Sequence, residues 1–127
     1  MVPDAVPDPP LTPELALAYL GELSTDIRAA AVLDGGGSVA AQSGFDTGTP
    51  EQVQELVGDL FDGAAKAAAG DPPPGQVEVS LPDGSVFAVR EGDWTLAVVA
   101  GRFALSSLML FDLRMVIRDL AGQDAAV

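Results

Sequence analysis

The stretch Trp94-Thr95-Leu96-Ala97-Val98-Val99-Ala100-Gly101 decides the fold. It is apolar almost without a break and carries no charge. A strand that shows no polar alternation is buried on both faces, so this one is expected in the middle of a sheet. Arg102-Phe103 make a short connection, and a helix is expected from about Ala104 to Leu120. Leu105, Met109, Leu113, Val116, Ile117 and Leu120 form its main apolar face, while Leu108, Phe111 and Met115 form a second stripe. Two stripes call for two packing partners, here the sheet and the first helix.

A second charge-poor run, Ile27 to Leu33, is also expected to be central. The break Asp34-Gly35-Gly36-Gly37-Ser38 follows, and Val39 to Ser43 returns antiparallel. A phosphate-binding loop needs a Gly-Lys-Ser/Thr ending that opens a helix. Both are missing, so the glycines read as a hairpin turn. Ahead of these strands, Thr12 to Ser24 reads as a helix with Thr12 as N-cap and Pro13 at its first position. Its expected apolar face is Leu15, Ala16, Tyr19, Leu20 and Leu23.

A second helix is expected from about Pro50 to Ala69, with Thr49 and Gln52 as a capping box. Val53, Leu56, Val57, Leu60, Phe61, Ala64 and Ala68 form its apolar stripe, with acids on the opposite side. Gln54, Gly58 and Ala65 lie on one flank, where small residues allow another backbone to come close. Gly70 ends the helix, and Asp71 to Gly75 make a stiff proline loop. In Gln76 to Leu81 the apolar residues Val77, Val79 and Leu81 alternate with polar ones, the pattern of an edge strand wet on one face. Asp83-Gly84 turns the chain into Ser85 to Arg90, and Glu91-Gly92-Asp93 turns it into the central strand.

The resulting order is helix, two strands, helix, three strands, helix. Placing the two apolar strands side by side gives an α+β fold with an antiparallel five-stranded sheet in the order 2-1-5-4-3. The first and third helices cover one face and the second helix the other. Residues 1–10 read as a disordered Pro/Asp-rich tail, 11–122 as the domain and 123–127 as a flexible end.

Composition narrows function. Nineteen acids against six bases leave a formal net charge of −13, which disfavours nucleic acid and anionic membrane surfaces. Without Cys or His, thiol nucleophiles, histidine triads and Cys/His metal sites are excluded. No residues are assigned to catalysis, a cofactor or a metal. Charged residues interrupt Trp94 to Leu120 too often for a membrane span. The acidic, proline-broken start is unlike a secretory signal, and a cytoplasmic location is expected.

The order and spacing of these elements resemble the Roadblock (dynein light-chain) family from Leu11 to Gly122. The resemblance is carried by Asp26 to Asp34 with its glycine turn, Val39 to Gly44, the Thr49-Pro50 helix, the Asp83-Gly84 hairpin and the apolar strand before the last helix. It implies a profilin-like fold and a homodimer that pairs third strands into one continuous sheet, with second helices side by side. It also implies work with small Ras-like GTPases, as activator, exchange-related regulator or scaffold, without intrinsic catalysis. Carried onto this chain, Gln54, Gly58, Phe61 and Ala65 fall near the dimer or partner surface, and Val77, Val79 and Leu81 at the strand pairing, where Val79→Pro is expected to remove a pairing hydrogen bond. Arg28, Arg90 and Arg102 are the candidates for an arginine finger. A small-molecule sensor and a dimeric adaptor without a GTPase are the alternative readings.

Overall fold

The structure, a computed structural model of the chain, describes residues 11–23, 26–44, 50–67 and 75–125, with side chains to Ala121. The expected tail, the Thr49 cap, the helix end at Gly70 and the loop over residues 71–74 lie outside the described residues. Three helices and five strands follow in the expected order: α1 (Pro13–Leu23), β1 (Ile27–Leu33), β2 (Val39–Ser43), α2 (Pro50–Ala67), β3 (Gln76–Leu81), β4 (Gly84–Glu91), β5 (Trp94–Gly101) and α3 (Ser106–Ala125). The sheet is antiparallel with order β2-β1-β5-β4-β3.

The two uncharged strands lie where their sequence demands. β5 sits between β1 and β4, and Leu96, Val98 and Ala100 are completely buried. Side chains alternate between two apolar layers. On one face Ala30, Val32, Phe87, Val89, Leu96 and Val98 pack with Ala16 and Leu20 of α1 and with Met109, Leu113, Val116, Ile117 and Leu120 of α3. On the other, Ala31, Leu33, Ala88 and Ala97 pack with Val53, Val57 and Phe61 of α2. Small alanines on this second face let one helix lie close to the sheet.

Local chemistry sets the element ends. The Thr12 hydroxyl accepts from the Leu15 amide at 3.1 Å, which confirms the N-cap of α1. In the turn between β1 and β2, the Asp34 carboxylate accepts from the amides of Gly36 and Ser38, at 3.0 and 3.2 Å, and the Asp34 carbonyl accepts from Gly37 at 2.9 Å. The amides a phosphate would need are thus used within the turn. Gly37 holds φ at 80°, a conformation open to glycine at little cost.

Two helix-face expectations need correction. On α1, Ala16 and Leu20 are buried, but Leu15, Tyr19 and Leu23 face outward. On α3 the buried face is Met109, Leu113, Val116, Ile117 and Leu120, while Leu105, Leu108 and Phe111 are exposed. The cause is the direction each stripe faces. These residues lie on the sides of their helices turned away from the layer formed by Ala16, Leu20, Met109 and Leu113, so packing on the sheet does not cover them.

Candidate interaction surface

β3 is an edge of the sheet. It contains no proline and pairs with β4 without a register shift, from Gln76↔Val89 to Leu81↔Gly84. Such an edge is a template for another strand. The register also tells which groups are available. Leu81 and Gly84 flank a two-residue turn, and the Arg90 amide donates to the Gly75 carbonyl at 2.8 Å. In an antiparallel ladder, bonded and non-bonded pairs alternate. Val77, Val79 and Leu81 therefore turn their backbone groups inward to β4. Gln76, Glu78 and Ser80 turn theirs outward. The outward donors are thus not those of Val79, and Val79→Pro would break the β3–β4 ladder itself.

The side chains of this strand divide between the two layers. Val77 packs against the α2 layer, Val79 is half-buried and Leu81 is 45% exposed. On the opposite face, Glu78 accepts a hydrogen bond from the Ser106 hydroxyl at 2.6 Å. The alternation read from sequence holds from Gln76 to Ser80 and ends at the exposed Leu81.

The α2 residues expected at a surface behave differently from one another. Ala65 is exposed, and Gln54 and Gly58 are half-buried. A Cβ added at Gly58 would meet nothing within 4 Å. Phe61, by contrast, is 4% exposed. It is a core residue of the α2 layer, because its position on the helix turns it toward the sheet with Val53 and Val57. Leu56, read from sequence as part of the buried stripe, is 46% exposed. Its periodicity with Val53 and Leu60 could not show that the sheet ends short of that side of the helix.

Arg90 lies over the Phe61 ring, its guanidinium carbon 3.9 Å from the centroid, and its Nε donates to the Thr95 hydroxyl at 3.2 Å. It joins α2, β4 and β5. Arg102 sits 5.8 Å from the centroid of its neighbour Phe103. Arg28 is exposed and lines a shallow cavity with Leu81, Asp83 and Val99. Two of the three arginines lie against aromatic rings. Among the described residues no group of three or more acids is placed to hold a metal ion. No helix among them is long and apolar enough to cross a membrane.

With the order 2-1-5-4-3, the two-layer packing and the open third strand in view, the chain can be compared with known proteins. No protein-family model matches the sequence, and no curated protein matches it. Solved structures do match. A Roadblock/LC7 domain from Streptomyces avermitilis superposes with a TM-score of 0.71 at 24% identity, over 84% of this chain and 92% of that one. The fold is a Roadblock fold. Myxococcus xanthus MglB gives a TM-score of 0.68 at 15% identity, covering 84% of this chain and 91% of MglB. Profilin IB of Acanthamoeba castellanii gives 0.60 at 19% identity, covering 90% and 96%. At these identities the likeness is one of fold. The profilin-like fold that the resemblance implied is thus the fold observed.

Proposed function

We propose that this protein is a homodimeric, non-enzymatic regulator or scaffold for a small Ras-like GTPase, acting by protein–protein contact. The observation that carries the proposal is the open β3 edge beside α2. The outward amides and carbonyls of Gln76, Glu78 and Ser80 offer a second copy a ladder of hydrogen bonds. The exposed Leu56 and Leu81 supply apolar surface on the same side of the molecule as α2. MglB, a bacterial GTPase regulator, shares the fold and supports the choice of partner class.

In this reading Gln54, Gly58 and Ala65 meet the second copy or the GTPase, and Val77, Val79 and Leu81 lie along the paired strands. Phe61 acts from beneath, holding α2 on the sheet and Arg90 in place. The dimer binds one arrangement of the GTPase switch loops more tightly than the others and so shifts the GTPase toward it. A contact of this type needs no catalytic group from this chain.

Two measurements test it. Light scattering at micromolar concentration is expected to give twice the chain mass. GTP turnover by a small GTPase encoded beside this protein is expected to change when the protein is added. A monomer, together with unchanged turnover and no binding by any such GTPase, would remove the proposal.

A further inference from the structure

The residues of β3 that turn their backbone groups outward are Gln76, Glu78 and Ser80. At the same two-residue spacing in the sequence stand Pro74 before them and Pro82 after them, and a proline has no amide to donate. Pro82 also belongs to the two-residue turn into β4. The donors on this edge therefore form a short ladder closed by proline at both ends, with Glu78 at its centre. A contact made about a two-fold axis needs a surface complementary to itself. An array symmetric about one residue meets that condition with a second copy of the same strand.

The prolines also select one alignment. An antiparallel pair that keeps its outward groups bonded slides only in steps of two residues. With the axis at Glu78, the two Glu78 residues pair with each other and Gln76 pairs with Ser80 of the second copy, so every outward amide meets a carbonyl. A step either way moves the axis to Val77 or Val79. It leaves Ser80 level with Pro74, or Gln76 level with Pro82, and each copy loses a donor.

Charge stands against the centred alignment, because like charges directly opposite each other are destabilising. The structure shows what relieves it. The Ser106 hydroxyl donates to the Glu78 carboxylate at 2.6 Å. The layer in which α3 packs is built from Phe87 and Val89 of β4 and Leu96 and Val98 of β5, with no residue of β3. The bond from Ser106 thus draws the carboxylate back over its own sheet, away from the edge that a second copy approaches. On the α2 side, the half-buried Val77 and Val79 face each other across the two copies.

We propose that the two-fold axis of the dimer passes through Glu78, and that Ser106 makes this alignment stable by parting the two Glu78 carboxylates. The inference rests on the pairing through β3 proposed above, and adds its register and the residue that permits it.

The chain has no cysteine, so single cysteines report the register in the full chain. With the axis at Glu78, two copies of Glu78→Cys bring their α-carbons to about 5.5 Å, within reach of a disulfide. Mild oxidation is expected to give a covalent dimer on a non-reducing gel. Val77→Cys and Val79→Cys each lie about 8 Å from their own equivalents, beyond that reach, and are expected to stay uncoupled alone. Mixed together they are expected to couple, at about 4.5 Å, with Glu78 and its bond to Ser106 left in place. Coupling of Val77→Cys alone or of Val79→Cys alone would overturn the register and leave the pairing through β3 standing. A dimer in which none of these couples would place the contact away from β3 and overturn both, as would a chain that light scattering shows to be a monomer. Ser106→Ala, in the chain without cysteine, is expected to raise the dimer dissociation constant several-fold in sedimentation. The rise is expected to vanish when Glu78→Gln is present as well, a double-mutant cycle that isolates the pair. An unchanged constant, or the same rise on both backgrounds, would overturn the role given to Ser106.

Discussion

The Ser106 hydroxyl, on the first residue of α3, donates to the Glu78 carboxylate in the middle of β3 across 2.6 Å. The bond ties the start of the last helix to the edge strand. It also draws the charge in the middle of that strand toward α3, while the backbone groups of Glu78 stay directed outward. An edge charge normally guards against strand pairing. Here it is held to one face and leaves the ladder side open.

Two prolines separate the edge from the sheet. Glu78→Pro removes an outward donor, a position that tolerates proline. It also removes the Ser106 bond, an exposed contact worth about 1 kcal/mol at most. The expected result is a folded chain whose light-scattering mass falls from dimer to monomer. Val79→Pro removes a donor to β4, and denaturant unfolding is expected to show a loss of about 3 kcal/mol, the scale of a proline in a hydrogen-bonded element. A Glu78→Pro chain that remains dimeric would remove β3 from the interface.

Arg90 is expected to matter to stability and not to GTP turnover. Its guanidinium covers Phe61 and its Nε is engaged by Thr95. Arg90→Ala should therefore cost about 1 kcal/mol in chemical denaturation, between an exposed and a desolvated cation–π contact. Any effect on a partner GTPase should be no larger than that loss of fold explains. A turnover change of about a thousand-fold or more, the scale on which arginine fingers act, would make Arg90 a finger after all.

Gly84 meets the backbone of β5 closely. A Cβ at this position would run into the carbonyl oxygen of Ala100. The neighbour is main chain in a paired strand and cannot swing aside. Gly84→Ala is expected to destabilise by about 2 kcal/mol or more, above the ~1 kcal/mol centre for point substitutions. Differential scanning calorimetry should show a Tm about 5–10 °C lower.

Gly58 is the opposite case. Space is open around its missing Cβ, so nothing inside the chain needs a glycine in the middle of α2. Gly58→Ala should stabilise an isolated chain by about 1 kcal/mol through helix propensity. If a second α2 lies against this flank, the added methyl should weaken association at the same time. Denaturation and dilution light scattering read the two effects separately. A stabilised chain with unaltered association would place the α2 contact elsewhere.

These contrasts show which parts of the fold are legible in the sequence. β1 and β5 carry uncharged runs, and a two-sided burial pattern needs no knowledge of neighbours to be read. β3 alternates cleanly, so its wet face and edge position follow. The helices are harder, because a helical stripe states which residues share a face and leaves open how far the sheet beneath extends. Leu56, Leu108 and Phe111 have the spacing of core residues and lie outside it, on sides of α2 and α3 turned from the buried layers. Phe61 went the other way. Its place beside Gln54 and Ala65 in a surface set came from family resemblance, while its own stripe with Val53 and Val57 already put it inside.

Salt should strengthen the proposed pairing through β3. Two chains of formal charge −13 repel as they pair through β3. Screening weakens that repulsion, since the Debye length falls from about 30 Å at 0.01 M to about 10 Å at 0.1 M. Self-association measured by sedimentation is therefore expected to tighten as sodium chloride rises over this range. If association stayed unchanged over this range, charge repulsion between the two copies would have no part in setting the strength of the dimer.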